Sequence, residues 1–298
     1  MADITSIKEY VEIVSASYER AERTLGREEI LLFRGTNNSK YPLIPSIARY
    51  PEEHIHNSLL WYEQSMIQEA KRKRPDIFKE EEYPINLLTK LQHYGIPTRL
   101  LDITTNALVA LFFACQKENE ENGEIVVFKV DKDTIHSNTS AIANAIALSH
   151  TQGRLYDFNN LIGKAEKRIF FEGFTHDSVK HRYKKREDYL EKLKTDYFTE
   201  PLVIFPLELS ERQKRQQGAF FIFPNKYKDE IEPIYKDNVI VEKLIHVPSS
   251  FKRKILDQLQ IYGITKEFLF PDSIDSLSDT IKSNVFQLYK NSILNLEG

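Results

Sequence analysis

Three short stretches of the sequence combine residue types that do chemistry. In the first, the apolar run Ile30-Leu31-Leu32-Phe33 ends in Arg34-Gly35-Thr36. A guanidinium at a strand end offers phosphate oxygens a planar fork of donors. The glycine lets backbone come close to a ligand, and the threonine adds a hydroxyl. The plain alternative is an arginine that salt-bridges where the strand stops. In the second, His93-Tyr94-Gly95-Ile96-Pro97-Thr98-Arg99-Leu100-Leu101-Asp102 mixes imidazole, guanidinium and carboxylate with two conformational stops. His93 ends an apolar helix face, where a histidine meets the C-terminal dipole or serves as a ligand-facing proton carrier. Arg99 and Asp102 fit an internal ion pair that fastens the segment to the core, because a buried carboxylate must be paired. Arg99 equally suits a pyrophosphate, and Thr98, Thr104 and Thr105 supply hydroxyls. In the third, Arg212-Gln213-Lys214-Arg215-Gln216-Gln217-Gly218 leads into an apolar strand, with Glu211 the nearest carboxylate. Its amides fit either a ligand or a polar turn.

Other chemistries find no support. There is no Walker loop, no dinucleotide glycine motif and no Gly-x-Ser-x-Gly elbow. The eight histidines are scattered without metal spacing, and the single cysteine, Cys115, excludes both an internal disulfide and a cysteine zinc site. Few cysteines and no signal pattern lead us to expect a cytoplasmic protein. No apolar stretch approaches the roughly 20 residues of a membrane helix, so no membrane partner is expected. A formal net charge of -3 points to no polyanionic partner globally. Locally, Lys180-His181-Arg182-Tyr183-Lys184-Lys185-Arg186 is a basic patch, read as a solvated helical face or, with Lys71-Arg72-Lys73-Arg74, as a basic rim for nucleic acid.

The elements that must position these residues follow from periodicity. Residues 7–18 carry apolar side chains at helical spacing, and residues 29–35 read as a strand buried on both faces. Helices are expected at 56–73 and 86–94, the second closed by Gly95 and barred from continuing by Pro97. Residues 98–105 cross between elements. Asn106 caps a helix over 106–115 that is apolar nearly all round and therefore central. Strands are expected at 124–130, 202–207, 218–223 and 239–247, and helices at 249–263 and 277–294. The span 137–200 is helical, charged and less apolar, as an insertion would be. Strands and helices mix without regular βαβ alternation, which indicates an α+β fold.

Four islands of the chain resemble the FRG-domain family. They are Phe33-Arg34-Gly35 with Tyr41-Pro42-Leu43 and Pro45-Ser46; the string from His93 to Asp102, running into Thr104, Asn106 and residues 107–114; Arg212, Gln216-Gln217-Gly218 and Phe220; and Gly263-Ile264 with Leu269-Phe270-Pro271-Asp272. The second island is the most specific. The resemblance implies an ADP-ribosyltransferase-like fold, with mixed or antiparallel sheets, surrounding helices and a helical basic insertion at about 137–200. The domain would span 29–272, between an N-terminal helical segment at 1–28 and a C-terminal helix at 273–298. It implies NAD as substrate, with Arg34, His93 and Gln217 catalytic and Arg34, Gly35, Thr36, Arg99, Thr104 and Gln216 binding the dinucleotide. Gln217 stands where that fold carries a catalytic glutamate, and an amide stabilises developing cationic charge less well than a carboxylate. The function implied is ADP-ribosyl transfer to a macromolecule, nucleic acid or protein, by a toxin or antiphage effector with an antitoxin protein as partner. Two other classes stay open: a non-catalytic nucleotide-binding sensor, and an RNA-directed nuclease using the basic patch with His93 and His181.

Overall fold

A computed structural model describes residues 2–22, 28–49, 59, 63–79, 81–117, 120–137, 139–148, 162–163, 165, 167, 186–206, 210–224, 233–235 and 240–271. Its strands are β1 (Ala2–Asp3), β2 (Glu29–Thr36), β3 (Leu100–Thr104), β4 (Gly123–Asp131), β5 (His136–Ser137), β6 (Leu202–Phe205), β7 (Gly218–Ile222) and β8 (Val241–Val247). They form one mixed sheet in the order β1-β8-β4-β2-β3-β7-β6-β5. The β1–β8 and β5–β6 pairs are parallel and the others antiparallel. Around it lie α1 (Ile7–Glu22), α2 (Glu63–Lys73), α3 (Pro84–His93), α4 (Ala107–Cys115), α5 (Ala141–Ala147), α6 (Arg186–Tyr197), α7 (Glu211–Gln216), α8 (Lys252–Ile261) and α9 (Lys266–Leu269). The fold is α+β, as the element mixture predicts.

The sheet is nearly two sheets. β2 pairs with β4 from Glu29 to Thr36, yet with β3 it shares only the Phe33–Thr104 pair. Beyond that pair the central strands part. On one face the core is continuous: Leu32, Val126 and Phe128 from one half meet Leu101, Ile103 and Phe221 from the other. On the opposite face it is divided. Phe33, Ile125, Val127 and Ile245 pack under α4, α1 and α8, whereas Leu100, Ile204, Phe220 and Ile222 pack under α3 and α5. The crevice between these helical groups lies above the parting strands.

α4 is apolar nearly all round because it is buried nearly all round; Val109, Ala110, Leu111, Ala114 and Cys115 are inaccessible. Asn106 caps it, its Oδ1 accepting from the backbone N–H groups of Leu108 at 2.9 Å and Val109 at 3.3 Å. The helix lies so close to β2 that a Cβ on Gly35 would stand 1.7 Å from the Ala110 carbonyl oxygen. Gly35 therefore answers to the helix, which corrects the expectation that a ligand sets its need for glycine. Gly35→Ala overpacks backbone against backbone and is expected to cost about 3 kcal/mol, the upper end for inserted methyl groups. Denaturant unfolding of the variant measures it.

α3 ends as predicted, with Gly95 at φ +77° and the Ile96 N–H donating to the Leu91 carbonyl at 2.9 Å. Within the span 137–200, α5 is part of the core. Asn144, fully buried, accepts from the Ile85 N–H at 3.1 Å and donates to the Ser140 carbonyl at 2.9 Å, tying α5 to the start of α3. Residues 98–105 contain a strand, β3, and α7 stands where only a polar stretch was expected. The basic patch at 180–185 with His181, and the helix expected at 277–294, lie outside the described residues. No helix among the described residues is long and apolar enough to cross a membrane.

Candidate functional site

Where β2 and β3 part, the sheet leaves a gap that Arg34 fills. Its Nη1 donates to the Asp102 carbonyl at 2.5 Å, an oxygen that continued β2–β3 pairing would occupy. Its Nε is buried and meets no hydrogen-bond partner among the described residues. Burial, opposed by the Asp102 charge and assisted by the nearby Arg49 charge, pulls the guanidinium down to about 10. It stays protonated at neutral pH. Between about 10 and its ordinary value the unfolded chain holds this proton and the folded chain gives it up, so stability rises with pH across that window. At neutral pH the charge is accordingly a cost to the folded state, and an anion against Nε would relieve it.

The cleft around Arg34 encloses about 250 Å³. Phe33, Arg34 and Gly35 of β2 form one side, and Asp102, Ile103 and Thr104 of β3 the other. Thr89, Gln92 and His93 come from α3, Phe113 from α4, Arg212, Gln213 and Gln216 from α7, and Gly218, Ala219 and Phe220 from β7. Among these lining residues Arg34 and Arg212 are the permanent cations and Asp102 is the one carboxylate. A chain of hydrogen bonds orients it. The Leu100 N–H donates to the Thr98 hydroxyl at 3.1 Å, that hydroxyl donates to Gln92 Oε1 at 2.8 Å, and Gln92 Nε2 donates to Asp102 Oδ2 at 3.0 Å. Arg212 lies over the Phe270 ring, 4.6 Å from its centroid, and Phe270 in turn meets Phe113 edge-on at 6.0 Å. The four islands of the sequence thus meet at one place.

Not every expected site residue is there. Arg34, Gly35, His93, Thr104 and Gln216 line the cleft; Thr36, Arg99 and Gln217 do not. Arg99 is wholly buried on the other face, where Nε donates to Glu63 Oε1 at 2.9 Å, Nη2 grips Glu63 Oε2 and Nη1 donates to the Phe223 carbonyl at 3.1 Å. Strand alternation explains this: in β3 successive side chains change face, so positions 99 and 102 cannot pair. The expected Arg99–Asp102 ion pair is thereby corrected to Arg99–Glu63, and Asp102 is released to the cleft. Gln217 occupies the left-handed C-cap of α7 at φ 45°, its carbonyl accepting from the Thr105 N–H at 3.1 Å and its Oε1 lying 3.4 Å from the Thr105 hydroxyl. Its amide is turned from the cleft, so the ribose role expected of it is withdrawn. Thr36 donates to the Asn38 carbonyl at 3.2 Å.

Thr104 and Gln216 are engaged within the wall itself. The Thr104 hydroxyl donates to the Gln216 carbonyl at 2.7 Å and accepts from the Asn106 N–H at 3.0 Å. Gln216 Nε2 donates to the Leu269 carbonyl at 3.1 Å. Both shape the wall rather than reach into the space. Asp102, Gln92, Arg212 and Gln213 are site residues that the sequence reading did not assign. Glu211 is exposed and held by Lys214 at 3.0 Å, and does not line the cleft. No group of three or more metal-ligating side chains occurs among the described residues.

No curated protein and no solved structure matches the chain. One family model does: that of the FRG domain matches residues 29–123, a span that contains β2, α3, β3 and α4.

Proposed function

We propose that the cleft binds NAD and that the protein transfers ADP-ribose from it to a macromolecular acceptor. The observation that carries this reading is the pairing of opposite chemistries where the strands part. Arg34 presents a buried, unsatisfied N–H to an anion, and the Asp102 carboxylate, oriented through Gln92, faces the same space. Breaking the bond between ribose and nicotinamide builds positive charge on the sugar ring and releases a neutral base. A fixed carboxylate stabilises that charge, and a phosphate held by a guanidinium keeps the sugar in place. Asp102 takes the part that the family resemblance assigned to a carboxylate at the third island, where Gln217 stands instead. Phe33, Phe113 and Phe220 supply apolar surface for the leaving ring. The acceptor then attacks the opposite face of the sugar. An effector role, with a nucleic acid or protein target and an antitoxin partner, belongs to the same proposal, as does the ADP-ribosyltransferase type of the fold. The divided sheet, with its cleft at the division, supports it.

Asp102→Asn keeps the shape and removes the charge. It is expected to slow nicotinamide release from NAD by about 100-fold or more, the usual loss when one charge-stabilising group is removed, while the dissociation constant for NAD changes little. Nicotinamide release at saturating NAD, set beside equilibrium binding, tests this. An undiminished rate in the variant sinks the assignment. Saturable NAD binding without release in the wild type favours the sensor reading, for which the absence of a glutamate among the described cleft-lining residues speaks.

A further inference from the structure

A second open cleft of about 290 Å³ adjoins the first, and the two share Thr89, His93 and Gln213 as a common wall. Small-molecule sites commonly run from about 300 to 1,000 Å³. Either chamber alone is small for a dinucleotide, whereas the pair is matched to a ligand with two ring systems joined by a linker. The second chamber has the chemistry of a base site. Tyr94 is 55% exposed, and two rings fix its orientation: Phe78, edge-on at 5.4 Å, and His93, edge-on at 5.2 Å. Gly95, in the left-handed region, turns the chain directly after it. Asp76 lines the same chamber, its two oxygens accepting from Arg74 Nε at 2.9 Å and Nη2 at 2.7 Å. The arginine lowers the Asp76 carboxyl below its ordinary range, and the carboxylate's remaining lone pairs, at the chamber wall, can accept from an exocyclic amine or a ribose hydroxyl. The Ser210 hydroxyl also lines the chamber.

We infer that this second chamber is the adenosine subsite of the NAD site, with Tyr94 as the stacking platform for the base and the shared wall at Thr89, His93 and Gln213 passed by the pyrophosphate linker. The inference rests on the NAD reading of the first chamber and assigns the other half of the ligand. Base–aromatic stacking is lost with the ring, and its typical strength corresponds to about a tenfold change in affinity.

The test compares two ligands on one protein. Nicotinamide mononucleotide fills only the first chamber; NAD fills both. Tyr94→Ala is expected to weaken NAD binding about tenfold and leave nicotinamide mononucleotide binding unchanged. Tyr94→Phe retains wild-type affinity for both. Tyr94→Leu, which keeps bulk over Phe78, behaves as the alanine variant, and its unaltered binding of the mononucleotide shows that the first chamber is intact. If the wild type binds the mononucleotide but Tyr94→Ala and Tyr94→Leu bind NAD as tightly as the wild type, the subsite assignment is overturned and the first chamber stands. If the wild type binds neither ligand, the NAD reading falls and the subsite falls with it. Equal weakening for both ligands also overturns the assignment, because Tyr94 then acts on the first chamber.

Discussion

Arg34→Ala is expected to weaken NAD binding by about 100-fold or more while leaving the thermal unfolding midpoint within a few degrees of the wild type. The two halves of that expectation come from one geometry. Among the described residues the side chain donates to the Asp102 carbonyl and buries an Nε that meets no partner. Truncating one member of a buried charge pair costs about 2–5 kcal/mol of affinity, hence the fold-change. In the unliganded protein the same guanidinium is desolvated against its preference, so removing it relieves as well as loses. An ordinary structural arginine at a strand end behaves in the opposite way: its loss destabilises the fold. Arg34→Lys is not expected to restore binding, because an ammonium lacks the fork and is more strongly hydrated. Equilibrium binding and thermal unfolding of the same preparations separate the cases.

Glu63→Ala is expected to destabilise the protein by about 3–5 kcal/mol, the cost of stranding the fully buried Arg99 without its partner. This pair joins α2 to the edge of β3, and through the Phe223 carbonyl to the end of β7. It lies on the continuous face of the sheet, away from the cleft, so the effect is on stability and not on ligand contact. The double change Glu63→Leu with Arg99→Met removes both charges and is expected to recover most of the loss, since apolar replacement of a buried ion pair is often neutral or better. Urea unfolding of the single and double variants measures the difference. A single variant as stable as the wild type contradicts the account of Arg99 as a fastening residue.

Legibility in the sequence followed the range of the interactions. α4 was readable because a capping asparagine and an unbroken apolar run are local signals, and β2 because its apolar run is continuous. α3 was readable from its leucine face and its glycine stop. α7 was not: Glu211–Gln216 buries no residue, carries no apolar stripe, and is held by a serine cap and by contacts with α9 far along the chain. Arg99 and Asp102 are close in sequence, which suggests a pair, yet a strand sends positions 99 and 102 to opposite faces. The true partner of Arg99, Glu63, lies in a helix 36 positions away, and nothing in either local pattern announces the other. The resemblance puts the ribose-facing group at the third island, at Gln217, and not at Asp102. The left-handed cap at Gln217, a backbone event, turned it aside. The residues that the resemblance marked do converge from distant islands, but the roles divide between those facing the cleft and those building its walls.

On the proposed reading, a dinucleotide's phosphate sits against Arg34 where β2 and β3 part. The most direct measurement is a crystal structure of the protein soaked with ADP-ribose at saturating concentration. Density is expected in the cleft, with a phosphate oxygen within hydrogen-bond distance of the Arg34 Nε and the ribose ring beside the Asp102 carboxylate. ADP-ribose bound elsewhere on the protein, with Arg34 still facing an empty cleft, contradicts it.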